Sequence, residues 1–253
     1  MEQIMNFPVI LGLCALIFLW ASARLGVFVR GRMRAVEPSE LDEFGTVLGA
    51  TLTLLGLLIG FTFSMAISRY DQRKNYEEEE ANAIGTEYVR ADLLPEPART
   101  KVQAQLVQYL DLRIQRYDAH AIEDVSALAA RTAQSQNIMW NEMKSAAIVN
   151  PNPVMATVVV GMNDVLNRQG YTQAARLNRI PATAWALMFV IALLSNFLIG
   201  FSSKKPGRVR LLIVPLAVAI SFLLVADIDS PQGGLIRVQP QNLQILADSL
   251  RPK

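Results

Sequence analysis

The sequence predicts an all-α integral membrane protein with four transmembrane helices and an extramembrane helical bundle inserted between the second and third of them. Three observations predict it. Of the 253 residues 52% are apolar and only 18% charged, a balance that soluble domains rarely show. The apolar residues gather in four windows, each long enough to cross ~30 Å of hydrocarbon at ~1.5 Å per helical residue. Between the second and third windows they recur at helical spacing, not at strand spacing.

The windows run from Pro8 to Val29, Thr46 to Ile67, Thr183 to Phe201 and Val209 to Ala226. The first is read as a retained helix, although "WASAR" offers an Ala-x-Ala pattern at Ala21 to Ala23. "MEQIMNFP" lacks the basic start of a signal peptide, and Arg24, Arg30, Arg32 and Arg34 follow the Ala-x-Ala pattern as a retention signal would. "LGLC" is no lipoprotein site, because Leu13 stands where a small residue must precede the cysteine. Cys14 is the only cysteine, so one chain offers neither a disulfide framework nor a thiolate metal site. The expected organisation is a first hairpin over residues 1–67, a helical domain over 68–182 continuous with the second transmembrane helix, a second hairpin over 183–229 and a tail over 230–253. "PQNLQILADSLRPK" gives that tail one short amphipathic helix.

Inside the insert, "KVQAQLVQYLDLRIQRY" sets Val102, Leu106, Tyr109, Leu110, Ile114 and Tyr117 on one stripe. "VMATVVVGMNDVLN" does the same with Met155, Val158, Met162, Val165 and Leu166. Pro95 and Pro97, then Pro151 and Pro153, punctuate these helices, and Ile122 to Ile148 reads as a third long one. No helix breaker falls between Leu41 and Leu94 apart from glycine, so the second span predicts a single helix of about 50 residues, roughly 75 Å, which Gly85 could bend.

Four crossings place both termini and the insert on one side. The short loops carry Arg30, Arg32 and Arg34, and Lys204, Lys205, Arg208 and Arg210, whereas the N-terminal flank has no basic residue. The positive-inside rule therefore expects cytoplasmic loops and a periplasmic helical domain in a bacterial inner membrane. A net charge of +2 with no basic stripe interleaved with aromatics excludes a nucleic-acid partner. No nucleophile elbow, zincin, Walker or dinucleotide motif occurs, so neither an enzyme nor a cofactor is expected. The single histidine, His120, reads as a solvated surface residue.

The most informative pattern lies in the second span. Thr46, Gly49, Thr53, Gly56, Gly60 and Ser64 advance by three or four residues and stay within about a third of the helix circumference at ~100° per residue. Such a stripe either lets another helix approach closely or faces an aqueous path along an oligomer axis. Beyond it come Arg69, Asp71, Arg73 and Lys74, then Glu77, Glu78, Glu79 and Glu80. Four successive residues sweep about 300°, so local i, i+4 pairing explains the run poorly. It is either a solvated helix surface or, with several copies around an axis, a charged mouth in which glutamates draw in cations and Arg69 opposes them. Asp227 and Asp229 end the fourth span, where the helix dipole disfavours negative charge. They call for a cation: an interfacial ion pair with Arg69 or Arg179, or, as the sharper alternative, a bound metal, for which two carboxylates make a weak site.

"GFTFSMAISRYDQRKNYEEEEANAIGTEYVRADLLPEPAR", "LNRIPATAWALMFVIALLSNFLIGFS" and "DIDSPQGGLIRV" together resemble the bestrophin-like family of bacterial membrane proteins, from about Leu41 to Leu250. The resemblance implies kinship with bestrophins, pentameric anion channels whose second transmembrane helices line the pore. Two departures accompany it: only Asp227 and Asp229 stand where animal bestrophins carry an acidic calcium-binding cluster, and no aromatic neck motif is evident. Bestrophins also keep the inserted domain in the cytoplasm, opposite to the orientation that the loop arginines favour. The resemblance implies a homo-oligomer, a pentamer by that analogy, in contact with lipid and conducting inorganic ions. The alternative is a non-conducting membrane-anchored sensor or scaffold that docks a partner through its helical domain.

Overall fold

The computed structural model describes residues 7–33, 38–119, 122–203 and 209–251. All the regular structure among them is helical: α1 (Pro8–Arg32), α2 (Pro38–Arg90), a 3-10 turn (Ala91–Leu93), α3 (Ala98–Asp118), α4 (Ile122–Val149), α5 (Pro153–Leu177), α6 (Ala182–Ser202), α7 (Arg210–Asp229) and α8 (Gln241–Leu250). Four stretches are long and apolar enough to cross a membrane: Pro8–Arg32, Glu43–Leu93, Pro153–Ser202, which holds α5 and α6, and Leu211–Asp229. His120, Arg34, Lys204, Lys205 and Arg208 lie outside the described residues.

The local signals act as their chemistry requires. Pro153 opens α5, where a missing N–H costs nothing, and the Asn152 side chain caps the helix by accepting from the Met155 N–H at 2.8 Å. Gly85 does not interrupt α2, which runs on to Arg90 before the turn ahead of Pro95.

The chain forms two compact units, residues 1–70 with 179–237, and residues 71–178 with 238–253. In the first, α1 packs against α6 and α7. Ala15, Leu19, Leu55, Trp185, Met188, Phe222 and Val225 form its core, with Trp185 meeting Phe222 edge to face at 5.9 Å. Polar side chains in this apolar unit bond to backbone carbonyls: Ser22 donates to Leu193 at 2.8 Å and Arg30 to Phe201 at 2.6 Å. The second unit is a helical bundle in which α3 packs on α4 and α8, and α4 on α5. Its core includes Ile84, Val102, Leu106, Tyr109, Leu110, Met139, Met143, Met162 and Leu243. The expected stripe of α3 is buried as far as Leu110, but Ile114 and Tyr117 are only partly covered, while Leu112 and Arg113 are buried instead.

Candidate functional site

Within the first unit α2 has two contrasting faces. Leu55, Thr62 and Ala66 are buried, with Leu58 and Ile59 packed beside them. The Thr62 hydroxyl satisfies itself against the Leu58 and Ile59 carbonyls, at 2.8 and 3.0 Å, and lies 3.3 Å from Met188 Sδ. At ~100° per residue, Thr46, Gly49, Thr53, Gly56, Gly60 and Ser64 fall on roughly the opposite side. All six are exposed. A Cβ added at Gly49, Gly56 or Gly60 would meet no atom within 4 Å. Thr53 donates its hydroxyl to the Gly49 carbonyl at 2.9 Å. Val47, Leu54, Leu57 and Phe61 form an exposed apolar ridge alongside the stripe.

The charged stretch is not the solvated run that its composition suggests. Arg73, Glu77 and Glu80 are buried, and only Glu78 of the four glutamates is fully at the surface. Glu77 receives the Leu243 N–H at 3.0 Å and the Asn242 amide at 2.7 Å, placing a carboxylate on the N-terminus of α8, where the helix dipole favours it. Glu79 pairs with Arg168 of α5. Glu80 takes the Arg113 guanidinium of α3 and, at 3.0 Å, the Thr172 hydroxyl of α5. The physical reason is the same ~300° sweep. Consecutive residues on a helix point in different directions, so the run fastens α2 to three other helices, α3, α5 and α8, and leaves Glu78 outside. Arg113 and Arg168, basic residues within apolar stripes, were the available signal.

Asp227 and Asp229 are also buried; backbone N–H groups answer both, and Asp229 in addition forms the expected ion pair with Arg69. Asp227 receives Leu235 at 2.7 Å and Ile236 at 2.9 Å, so the "SPQGG" reversal brings its own donors to the carboxylate. A Cβ at Gly234 would press on this carboxylate, 3.0 Å from Oδ1. Asp229 receives the Ile180 N–H at 3.1 Å and has Arg69 Nη1 3.7 Å away, while Arg179 is half-buried next to Ile180 in the chain. No group of three or more His, Cys, Asp or Glu that could hold a metal occurs among the described residues.

Sequence reasoning passed over Glu87, about 20 residues beyond the apolar part of α2 and fully buried in the second unit. Both its carboxyl oxygens lack hydrogen-bond partners, and its nearest cation is Arg90 at 4.0 Å. Burial pushes its pKa up to about 8, with Arg90 partly opposing. Because the folded form holds a proton that the unfolded chain releases near pH 4.5, stability is full below that value and falls as pH rises toward 8. Between those two values the slope approaches about 1.4 kcal/mol per pH unit, and solvent screening narrows the window over which it acts. Melts of detergent-solubilised protein at pH 5 to 8 should show it, and Glu87→Gln should remove it.

Comparison with known proteins bears on this architecture. A family model described as a bestrophin-like domain matches residues 15–243. Among solved structures, a bacterial bestrophin homologue from Klebsiella pneumoniae, phased on zinc, is 14% identical, with 94% of this chain and 95% of that chain covered and a TM-score of 0.61. Two point variants of the Klebsiella pneumoniae homologue, each 14% identical, give TM-scores of 0.62 and 0.60; coverage is 94% of this chain and 93% of that one for the first, 93% and 94% for the second. Comparison with curated protein sequences finds no match.

Proposed function

The chain belongs to the bestrophin-like family, and from that premise we propose that it is a homo-oligomeric ion channel whose pore is lined by α2. The observation that carries the reading is the exposed stripe from Thr46 to Ser64, turned away from the subunit's own core. Bare glycine backbone gains little from lipid, whereas it suits an axis shared by several copies. The adjacent ridge of Val47, Leu54 and Phe61 supplies apolar area for a neighbouring copy to cover. A pentamer follows by analogy with bestrophins. The basic short loops favour a bacterial inner membrane with those loops cytoplasmic and the helical domain periplasmic.

The non-conducting scaffold is the second reading, favoured by one detail. Thr53 turns its hydroxyl to the Gly49 carbonyl, as a residue in a dry helix seam would. Single cysteines at Thr53, Gly56 and Gly60, in a chain whose exposed Cys14 is replaced by serine, separate the two. A wetted path lets a charged methanethiosulfonate reagent modify all three and block flux, while Leu55→Cys on the buried face stays inert. Purified protein in liposomes should pass chloride or potassium above empty-liposome controls. Absence of flux in every salt and pH tried, together with inert stripe cysteines, overturns the channel reading in favour of the seam.

A further inference from the structure

The second unit contains a basic cavity of about 320 Å³ that the conduction reading does not use. Arg113 and Arg116 of α3 and Arg176 of α5 line it, with the amides of Gln136, Gln169 and Gln173. Its described lining includes no acidic side chain. Glu80 pairs with Arg113 and also accepts from the Thr172 hydroxyl.

Arg176 is held in place before any ligand arrives. Its guanidinium stacks over the Tyr117 ring at 4.1 Å, and Nη1 donates to the Arg116 carbonyl at 3.4 Å. Arg176 also covers a carbonyl in the last turn of α3, where the helix dipole would otherwise repel an anion. Arg116 feels the crowding: burial first, then Arg176 and Arg113, bring its pKa down to about 10.

We infer that this cavity binds a small phosphate-class oxyanion, gripped by Arg116 and Arg176 with the glutamine amides completing its shell. The planar guanidinium fork matches phosphate oxygens, and the volume suits a small ligand. The same chemistry is offered by free phosphate and by a phospholipid headgroup. The site stands whether or not the protein conducts.

Titration calorimetry on the full-length protein in detergent tests it, with inorganic phosphate and, separately, dihexanoyl phosphatidylglycerol below its micelle concentration. Chloride at matched ionic strength is the control. Saturable binding of either probe is expected, at least tenfold weaker in the Arg116→Gln/Arg176→Gln protein and unchanged in Arg131→Gln on the surface. Binding of phosphate alone identifies a free anion, and binding of the lipid alone a headgroup. Ala129→Trp together with Ala133→Trp fills most of the cavity while keeping every charge, so it decides the matter if the double arginine variant does not fold. The inference is overturned if neither probe exceeds chloride, or if binding survives in the filled variant.

Discussion

Glu80→Ala should lose about 3–5 kcal/mol of stability, because it removes one partner of a buried ion pair and strands the other. Glu80 is 0% and Arg113 4% exposed. Burial alone would pull the Arg113 pKa down, but Glu80 and Tyr109 outweigh it and hold the guanidinium charged. Without Glu80 that charge is left between Tyr109 and the other guanidiniums of the basic cavity, with no proton it can readily lose. The Thr172 hydroxyl loses its carboxylate acceptor at the same time, though it keeps the Arg168 carbonyl at 3.0 Å.

The companion experiment separates charge pairing from packing. Glu80→Leu combined with Arg113→Met replaces both charges with apolar groups of similar size, and such exchanges are often neutral or stabilising. The double variant should therefore melt close to wild type, and well above Glu80→Ala or Arg113→Ala alone. A double variant as unstable as the single ones would show that the pair acts through shape. Far-ultraviolet melts of the detergent-solubilised protein read all four.

The helices were legible in the sequence and much of the polar chemistry was not. Hydropathy and periodicity are one-dimensional, so they located α1, α6, α7 and the unbroken α2 to within a few residues. The same spacing argument set Gly49, Gly56 and Gly60 on one face, and that face is exposed. What a charged residue meets depends on which helices surround it. Glu77 is answered by Leu243, some 166 positions along the chain, and Glu80 by Arg113 and Thr172, so composition alone suggested a solvated run. Asp227 misled for a related reason. Its donors are the N–H groups of Leu235 and Ile236, which no scan for side-chain cations would find. Glu87 gave no signal, since one glutamate in an acidic helix looks like any other until its neighbours prove apolar.

Gly26→Ala and Gly200→Ala should each lower stability by roughly 2–4 kcal/mol, near the upper end of overpacking effects, because neither clash can be relieved by turning a side chain. A Cβ at Gly26 would overlap the Phe197 carbonyl, and one at Gly200 the Ala23 carbonyl. Each glycine thus lies against the other helix's backbone, so α1 and α6 must separate to admit a methyl group. Separation would also stretch the bonds from Ser22 to Leu193 and from Arg30 to Phe201. Both substitutions push the same pair of helices apart, so the double variant should cost clearly less than the sum of the two. Gly12→Ala provides a graded comparison, because its new methyl meets side-chain atoms of Leu223: Cδ1 at 2.8 Å can turn away, while Cβ at 3.0 Å needs only a small shift of the helix. Gly56→Ala meets nothing in the subunit and should leave the melting of a dissociated subunit unchanged or slightly raised, through the better helix propensity of alanine. If the stripe is a shared axis, that substitution should instead alter assembly or flux. A glycine that fixes this crossing is then distinguished from one that serves the oligomer by which measurement moves.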